Sequence, residues 1–255
     1  MIDFGIIAFG LVGLLLGSFL NVIICRLPNH ESIVLPGSRC PGCKTAIKPY
    51  DNIPVFSYLI LKGKCRACGT PISWQYPVVE LITGLLLALL YWKFGWTPEF
   101  LIYSILALFL LPIAAIDLKY RLILNKLTVP GFILGMVLML GLQIENWKSL
   151  ILGALCGGLV IFAIGYLGTL LFKKESMGMG DVKLFVMIGI YIGLKGVLLS
   201  MLFSVYIAAI FILGGLVLRK LKLGETIPFG PFIAIGSLAY LMCGDSVVRW
   251  YLSLL

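Results

Sequence analysis

Charged residues and histidines are scarce in this chain of 255 residues, and each shortage excludes a class of protein. Only 12% of the residues are charged and 61% are hydrophobic, a balance far from that of soluble domains. His30 is the only histidine, so the sequence supports neither a serine nor a cysteine protease triad. No G-x-G-x-x-G motif follows a predicted strand, which excludes a Rossmann-type cofactor site.

Long apolar segments make up most of the chain. They predict an all-α polytopic membrane protein with about eight transmembrane helices. The fourth and sixth segments are short for a bilayer core. The first has no basic n-region and no small-residue cleavage site, so we expect residues 1–25 to be a retained transmembrane helix rather than a signal peptide. The expected spans are 4–25, 78–93, 99–116, 130–143, 150–172, 184–194, 196–218 and 229–243.

The distribution of basic residues predicts the orientation. With the N-terminus outside, the inside segments are 26–77, 117–129, 173–183 and 219–228, and they hold sixteen of the twenty Lys and Arg residues. The positive-inside rule therefore places these segments in the cytoplasm. The net charge of +9 is then mainly a topology signal with some attraction to anionic membrane lipid, and it does not indicate a nucleic-acid partner.

The cytoplasmic segment 26–77 carries two C-x-x-C pairs, which are typical of a zinc ribbon. Each pair can present two sulfurs to one tetrahedral ion, and the glycines Gly42 and Gly69 suit the tight turns of such knuckles. The alternative is a pair of redox-active dithiols, as in a membrane thiol oxidoreductase. The reducing cytoplasm favours the metal, and a segment this small would gain folding free energy from it. The four expected ligands are Cys40, Cys43, Cys65 and Cys68.

Two aspartates lie at the ends of apolar segments. Asp117 ends one segment, and Asp181 follows Gly178 and Gly180 just before another. Ionisable groups at the edge of the hydrocarbon layer are costly and indicate function, and two carboxylates that share a proton are the catalytic pair of aspartic proteases. The glycines would allow a sharp turn and close approach of a substrate strand. The helix dipoles favour an ionised Asp181 and a protonated Asp117.

Simpler interpretations of the two aspartates are a charge at a helix end and a plain N-cap. An ion-coupled transporter, in which both aspartates carry protons, is an alternative of another class. It gives no reason for the cysteine segment.

An ordered series of motifs runs almost from end to end of the chain. They are Gly17-Ser-Phe-Leu-Asn21, Arg26-Leu-Pro28, the two cysteine pairs, Asn52-Ile-Pro54, Ser57-Tyr-Leu59, Gly63-Lys-Cys65, Ile72-Ser73, Tyr76-Pro77, Glu80-Leu81, the Asp117 segment, Gly178-Met-Gly-Asp181-Val-Lys183 and Pro228-Phe-Gly-Pro231. This series resembles one family, the bacterial type 4 prepilin peptidases, which are GxGD-type intramembrane aspartic proteases that also act as N-methyltransferases. One position departs from the family pattern, because Leu124 stands where a proline usually precedes the polar residue Asn125.

The resemblance implies an enzyme of the bacterial inner membrane with both aspartates and the zinc loop facing the cytoplasm. It would cleave the short basic leader from prepilins and pilin-like precursors of pili, type II secretion or DNA uptake. It would then methylate the new N-terminus with S-adenosylmethionine. Residues 26–77 would serve methylation and residues 78–255 would form the peptidase domain. A peptidase with a purely structural zinc loop remains the alternative.

The resemblance also assigns candidate residues around these two activities. Asp117 and Asp181 would be catalytic, and Gly178, Gly180 and Lys183 would support the catalytic loop. Substrate positioning falls to Pro228, Gly230 and Pro231, and the methylation site to Glu80 and Gly63.

Overall fold

The computed structural model describes residues 3–142, 147–172, 178–222 and 226–253. Within these ranges the chain is helical with no strand, which confirms the predicted all-α class. Two short 3-10 turns, Leu27–Asn29 and Pro49–Asn52, lie in the segment between the first and third helices. The helices are α1 (Phe4–Arg26), α2 (Phe56–Ile60), α3 (Gln75–Phe94), α4 (Pro98–Tyr120), α5 (Asn125–Gly141), α6 (Trp147–Phe172), α7 (Met179–Val217) and α8 (Gly230–Leu252).

Six of the described helices are long and apolar enough to cross a membrane, namely α1, α3, α4, α6, α7 and α8. The apolar helix α5 is shorter, at 17 residues. Each of the eight predicted spans overlaps a helix, and the sixth and seventh both fall in α7. The multi-pass membrane architecture is therefore confirmed.

Helix α7 is interrupted at Gly193, where φ is 71° and ψ is −176°. A Cβ at Gly157 of α6 would lie 2.8 Å from Phe185 O and 2.9 Å from Val197 Cγ2. Residues twelve apart on a straight helix are separated by about 18 Å, so α7 must turn sharply between these two contacts. The left-handed φ of Gly193 permits the turn. The two halves of α7 thus correspond to the separate spans that the sequence predicts.

Close packing of glycines joins α1 to α3. A Cβ at Gly13 would lie 2.7 Å from the Cα of Gly84, and a Cβ at Gly17 would lie 2.7 Å from the Cα of Glu80. Small residues four apart allow such close approach of helices in a membrane. The buried Asn21 adds a hydrogen bond from its Nδ2 to Tyr76 O, at 3.0 Å.

The chain forms two compact units, Met1–Phe100 and Leu101–Leu255. The first contains α1, the cysteine segment and α3, because α1 and α3 pack along their length. The second contains both aspartates and the remaining helices. The predicted functional domains put α3 with the peptidase, so their boundaries at residues 26 and 78 stay predictions.

Candidate active site and four-cysteine cluster

Asp117 lies in the last turn of α4 and is buried, with 5% of its surface exposed. Its Oδ2 accepts a hydrogen bond of 2.8 Å from the backbone N–H of Gly230, the first residue of α8. A Cβ at Gly230 would lie 2.7 Å from the same oxygen. Glycine at this position therefore allows the N-terminus of α8 to approach the Asp117 carboxylate closely.

Asp181 is the third residue of α7 and is half-buried. Its N–H donates to Gly178 O at 3.1 Å, which confirms the predicted position in the first turn of a helix. Gly180, the residue before Asp181, packs on Ile123 of the loop that follows Asp117, so the structure brings the two predicted aspartates near each other. At Asp117 the dipole at the N-terminus of α8 opposes the dipole at the C-terminus of α4. The predicted location of the shared proton on Asp117 therefore stays a prediction.

The two glycines before Asp181 differ in their surroundings. Gly178 has φ −77° and ψ 143°, which other residues adopt readily, and among the described residues a Cβ there would come no closer than 3.7 Å to a neighbour. A Cβ at Gly180 would lie 2.8 Å from Ile123 Cβ. Neither glycine has a positive φ. Gly180 is therefore needed for packing against the α4–α5 loop, whereas packing among the described residues does not require a glycine at position 178.

The short loop between α4 and α5 is linked to the helices on either side of the site. Lys183 Nζ donates to Asn125 Oδ1 at 3.0 Å, so the predicted support residue Lys183 reaches the first residue of α5. Arg121 Nη1 donates to Thr226 Oγ1 at 2.8 Å, just before α8. With the Ile123–Gly180 packing, these contacts fix the loop that follows Asp117 against the start of α7 and the segment before α8.

Sequence reasoning missed Ile123, Arg121 and Thr226, because none of them carries a motif of its own. It placed Gly230 near the aspartates as a positioning residue but did not foresee its direct hydrogen bond to Asp117. Pro231 is the second residue of α8, as expected for a helix start. Pro228 lies two residues before this helix, and its role in substrate positioning stays a prediction.

The cysteine pairs form two equivalent knuckles. In the first, Cys40 N donates to Thr45 O at 3.0 Å, and in the second Cys65 N donates to Thr70 O at 2.9 Å. A left-handed residue follows each pair, Lys44 with φ 61° and Gly69 with φ 71°. Gly69 therefore has the predicted turn role.

Gly42 does not have a positive φ. Glycine is favoured at this position because there is no room for a side chain: a Cβ would lie 2.7 Å from Thr70 Oγ1 of the other knuckle. The turn in the first knuckle is made by Lys44 instead.

The four sulfurs form one cluster, with all Sγ atoms within 4.8 Å of one another. Cys40 Sγ lies 3.7 Å from Cys68 Sγ of the other pair. Four thiolates at the usual Zn–S distance are about 3.8 Å apart at the corners of a tetrahedron, so this donor set fits a tetrahedral metal ion. The close contact between different pairs favours a metal site over two separate redox dithiols.

Hydrogen bonds in the knuckles favour the thiolate form of two of the sulfurs. The Thr70 hydroxyl, 3.0 Å from Cys68 Sγ, lowers the pKa of Cys68 to about 6. Thr45 lowers the pKa of Cys43 in the equivalent way. Because metal ligands must be deprotonated, the two hydroxyls favour the form of Cys68 and Cys43 that can bind a metal ion.

Of the two candidate methylation residues, Glu80 contacts the start of the segment that contains α2, and Gly63 lies at the end of that segment. Glu80 is buried in α3, and its Oε2 accepts a hydrogen bond of 2.7 Å from Val55 N, just before α2. Gly63 N donates to Tyr58 O at 2.9 Å. Val55 has φ 63°, a rare conformation for a β-branched residue. The buried Glu80 carboxylate therefore stabilises the loop at Val55, where the backbone conformation is strained.

The fold and the site together define a polytopic helical membrane protein with a two-aspartate site at helix ends and a separate four-cysteine cluster. Two family models match the chain and cover both features. The Bacterial Peptidase A24 N-terminal domain matches residues 11–94 and the Type IV leader peptidase family matches residues 104–213. The chain belongs to the type IV leader peptidase family.

Named relatives agree with this assignment. A prepilin leader peptidase/N-methyltransferase of Pseudomonas aeruginosa is 36% identical over 265 residues, which cover 95% of this chain and 91% of the relative. A protein of the same name from Bacillus subtilis is 35% identical over 244 residues, which cover 95% of this chain and 96% of the relative. One from Myxococcus xanthus is 41% identical over 193 residues, but the match spans only 58% of that protein. No solved structure matches the chain.

The family assignment decides between the classes that the sequence left open. The Type IV leader peptidase match covers the helices that carry Asp117 and Asp181, so the ion-coupled transporter is not favoured.

Proposed function

We propose that this chain removes the leader peptide from prepilins and pilin-like precursors and then methylates the new N-terminal amine. The proposal is supported by the relatives named prepilin leader peptidase/N-methyltransferase that match nearly the whole chain. The structural observation that carries it is the packing of Gly180 on Ile123, which brings Asp117 at the end of α4 near Asp181 at the start of α7.

The two carboxylates have the chemistry of an aspartic protease. With one proton shared between them, the ionised carboxylate takes a proton from water, and the protonated one donates a hydrogen bond to the scissile carbonyl. Attack of the water gives a tetrahedral intermediate, which breaks down when the leaving amine is protonated. The Gly230 N–H holds one oxygen of Asp117 in place, so that carboxylate keeps a fixed orientation during these proton transfers.

The substrate must reach this pair as an extended strand, since a helical backbone hides its carbonyl groups in internal hydrogen bonds. Gly178 precedes Asp181 and is exposed, which suits the close approach of a substrate backbone. Pro228, Gly230 and Pro231, at and just before the start of α8, are the proposed positioning residues.

The methylation half of the function is assigned to the first unit. Bound S-adenosylmethionine would supply the methyl group to the new α-amine. Glu80 and Gly63 are proposed for this site because they fix the two ends of the segment 55–63, and an anionic carboxylate suits a cationic sulfonium group.

The four-cysteine cluster is proposed to bind Zn²⁺ through Cys40, Cys43, Cys65 and Cys68. With four thiolates the coordination is complete and leaves no open position for a substrate, so the ion would be structural. It would stabilise a loop whose own apolar core is small.

The cluster and the aspartates are proposed to face the cytoplasm of a bacterial inner membrane. The support is the charge distribution, because sixteen of the twenty Lys and Arg residues lie in the segments predicted inside. A prepilin would present its short basic leader to the same side.

The decisive experiment replaces each aspartate by its neutral isostere. Asp117→Asn and Asp181→Asn should each reduce cleavage of a co-expressed prepilin by at least about 10³-fold, because either change removes half of the acid–base pair. Cleavage is measured by the mass shift of the pilin. Asp245→Asn is the matched control, since this aspartate lies near the end of α8 in an exposed ion pair with Lys195.

The proposal is wrong if either variant processes the prepilin at the wild-type rate while accumulating normally. Methylation is measured separately on a synthetic peptide that already has the processed N-terminus. An Asp117→Asn protein that still methylates this peptide would show that the two activities have separate sites.

A further inference from the structure

The segment between α1 and α3 exposes large apolar side chains that its own fold does not cover. In and around α2, Ile53 is 50% exposed, Phe56 57%, Leu59 65% and Ile60 74%. Trp74, at the start of α3, is 71% exposed. An exposed apolar group of this kind in a polar loop marks an interaction surface.

The Val55–Glu80 hydrogen bond fixes the position of α2 along the membrane helix. Glu80 is the sixth residue of α3, about 8 Å along the helix axis from Gln75. Val55 N lies 2.7 Å from the Glu80 carboxylate, and α2 begins at the next residue. The start of α2 is therefore level with the second turn of a membrane-spanning helix and does not extend away from it.

The lipid-facing surface of α3 begins at the same level. Leu81 is 52% exposed, Ile82 45% and Leu85 62%, on a helix long and apolar enough to cross the bilayer. The exposed side chains of α2 thus lie at the height where the hydrocarbon surface of α3 starts.

We propose that α2 is an interfacial membrane anchor whose Phe56, Leu59 and Ile60 enter the boundary between lipid headgroups and acyl chains. Aromatic residues such as Trp74 favour the same depth, and short apolar elements at the interface are stabilised by burial of their apolar face. Lys62 and Lys64 follow α2 and are exposed, so they can meet anionic headgroups.

The anchor has a consequence for the four-cysteine cluster. Cys65 lies five residues after the end of α2, so the anchor keeps the cluster near the membrane surface. Glu80 then acts as a positioning residue, because its hydrogen bond to Val55 holds α2 against α3. The position of this loop at the membrane surface does not depend on the proposed peptidase or methyltransferase activity.

Photo-crosslinking to lipid tests the anchor. Phe56 is replaced by photoreactive benzoyl-phenylalanine in the full chain, which is reconstituted in vesicles of phosphatidylethanolamine and phosphatidylglycerol. After irradiation, lipid adducts are identified by mass spectrometry. The positive control carries the probe at Leu85, on the lipid face of α3, and the matched control carries it at the exposed Ala67 between Cys65 and Cys68. A thermal unfolding midpoint like that of the wild type shows that each variant is folded.

Lipid adducts at positions 56 and 85, with at least about fivefold less at 67, are expected. Adducts at 85 alone, or crosslinks from 56 to peptides of residues 101–255, would overturn the proposal. Equal yields at 56 and 67 would also overturn it, because the loop would then touch lipid without a specific anchor.

The role of Glu80 is tested in the same vesicles. In Glu80→Ala the acceptor of the Val55 N–H is lost, so the Val55 amide should exchange with deuterium about tenfold faster, and the adduct yield at position 56 should fall. The yield at 85 should not change. Wild-type exchange at Val55 together with an unchanged yield at 56 would exclude the positioning role.

Discussion

The backbone N–H of Gly230 donates a hydrogen bond to Asp117 Oδ2 across 2.8 Å, although the two residues are 113 positions apart in the chain. The bond couples the last turn of α4 to the first residue of α8. The aspartate is thus oriented by a backbone group that side-chain chemistry in the sequence does not reveal.

Gly230→Ala should reduce cleavage strongly although both aspartates remain. The new Cβ would lie 2.7 Å from Asp117 Oδ2, so either the carboxylate or the start of α8 must shift. A small misplacement of a catalytic group can reduce the rate by about 10²-fold. Prepilin processing is measured with Gly214→Ala as the control, since no atom of the described residues lies within 4 Å of a Cβ there. Normal processing by Gly230→Ala would show that the close approach is dispensable.

Gly180→Val should block cleavage, whereas Gly178→Ala should leave the fold unchanged. A Cβ at Gly180 would lie 2.8 Å from Ile123 Cβ, but one at Gly178 would lie 3.7 Å from its nearest neighbour, Asp181 Oδ2. Expression level and thermal stability are measured beside processing. If Gly178→Ala is stable but inactive, the requirement at 178 belongs to the substrate. A fully active Gly180→Val would contradict the packing role.

Leu124→Pro should stabilise the protein by about 0.4–1 kcal/mol, because proline restricts the unfolded chain. Leu124 has φ −80°, close to the value that proline requires. Within the described residues its N–H donates no backbone hydrogen bond, while its carbonyl accepts from Leu127 and Thr128. Thermal unfolding in detergent measures the effect, and Leu122→Pro serves as a comparison in the same loop. A lower midpoint for Leu124→Pro would contradict the prediction and show that the family's usual proline does not fit here.

Replacing Cys40 and Cys65 together by serine should release the metal and destabilise residues 26–77. A single site with four thiolates predicts about one zinc ion per chain in the wild type, and loss of two ligands removes the folding free energy that the ion supplies. Metal content and limited proteolysis of the loop are measured. The rate of methylation should fall more than the rate of cleavage. Cys156→Ser, in α6, is the control. Wild-type protein without metal, or a double variant that keeps it, would refute the site.

A cysteine introduced at Lys119 should react with a membrane-impermeant thiol reagent only from the cytoplasmic side. Lys119 lies in the last turn of α4, two residues after Asp117, in a segment whose basic residues predict an inside location. Intact spheroplasts and inverted vesicles give the two accessibilities. Labelling in intact spheroplasts would reverse the orientation, and with it the side from which a substrate reaches the aspartates.

The spans, the cysteine cluster and the two aspartates could be predicted from the sequence because each rests on a local property. About twenty apolar residues suffice to indicate a membrane helix, and each C-x-x-C pair contains half of a tetrahedral site. Asp181 at the start of α7 follows from the apolar segment that begins just after it. The family motifs added the order of these features along the chain.

The tertiary structure decided the contacts that complete the sites, since these join residues distant in sequence. The Gly230 amide reaches Asp117, Lys183 reaches Asn125, and Gly180 packs on Ile123, each through helix packing that no local pattern encodes. The same holds for Glu80, whose role depends on its bond to Val55, 25 residues away. Composition and spacing determined which groups this protein has, while packing of the helices determined which backbone atoms hold them in place.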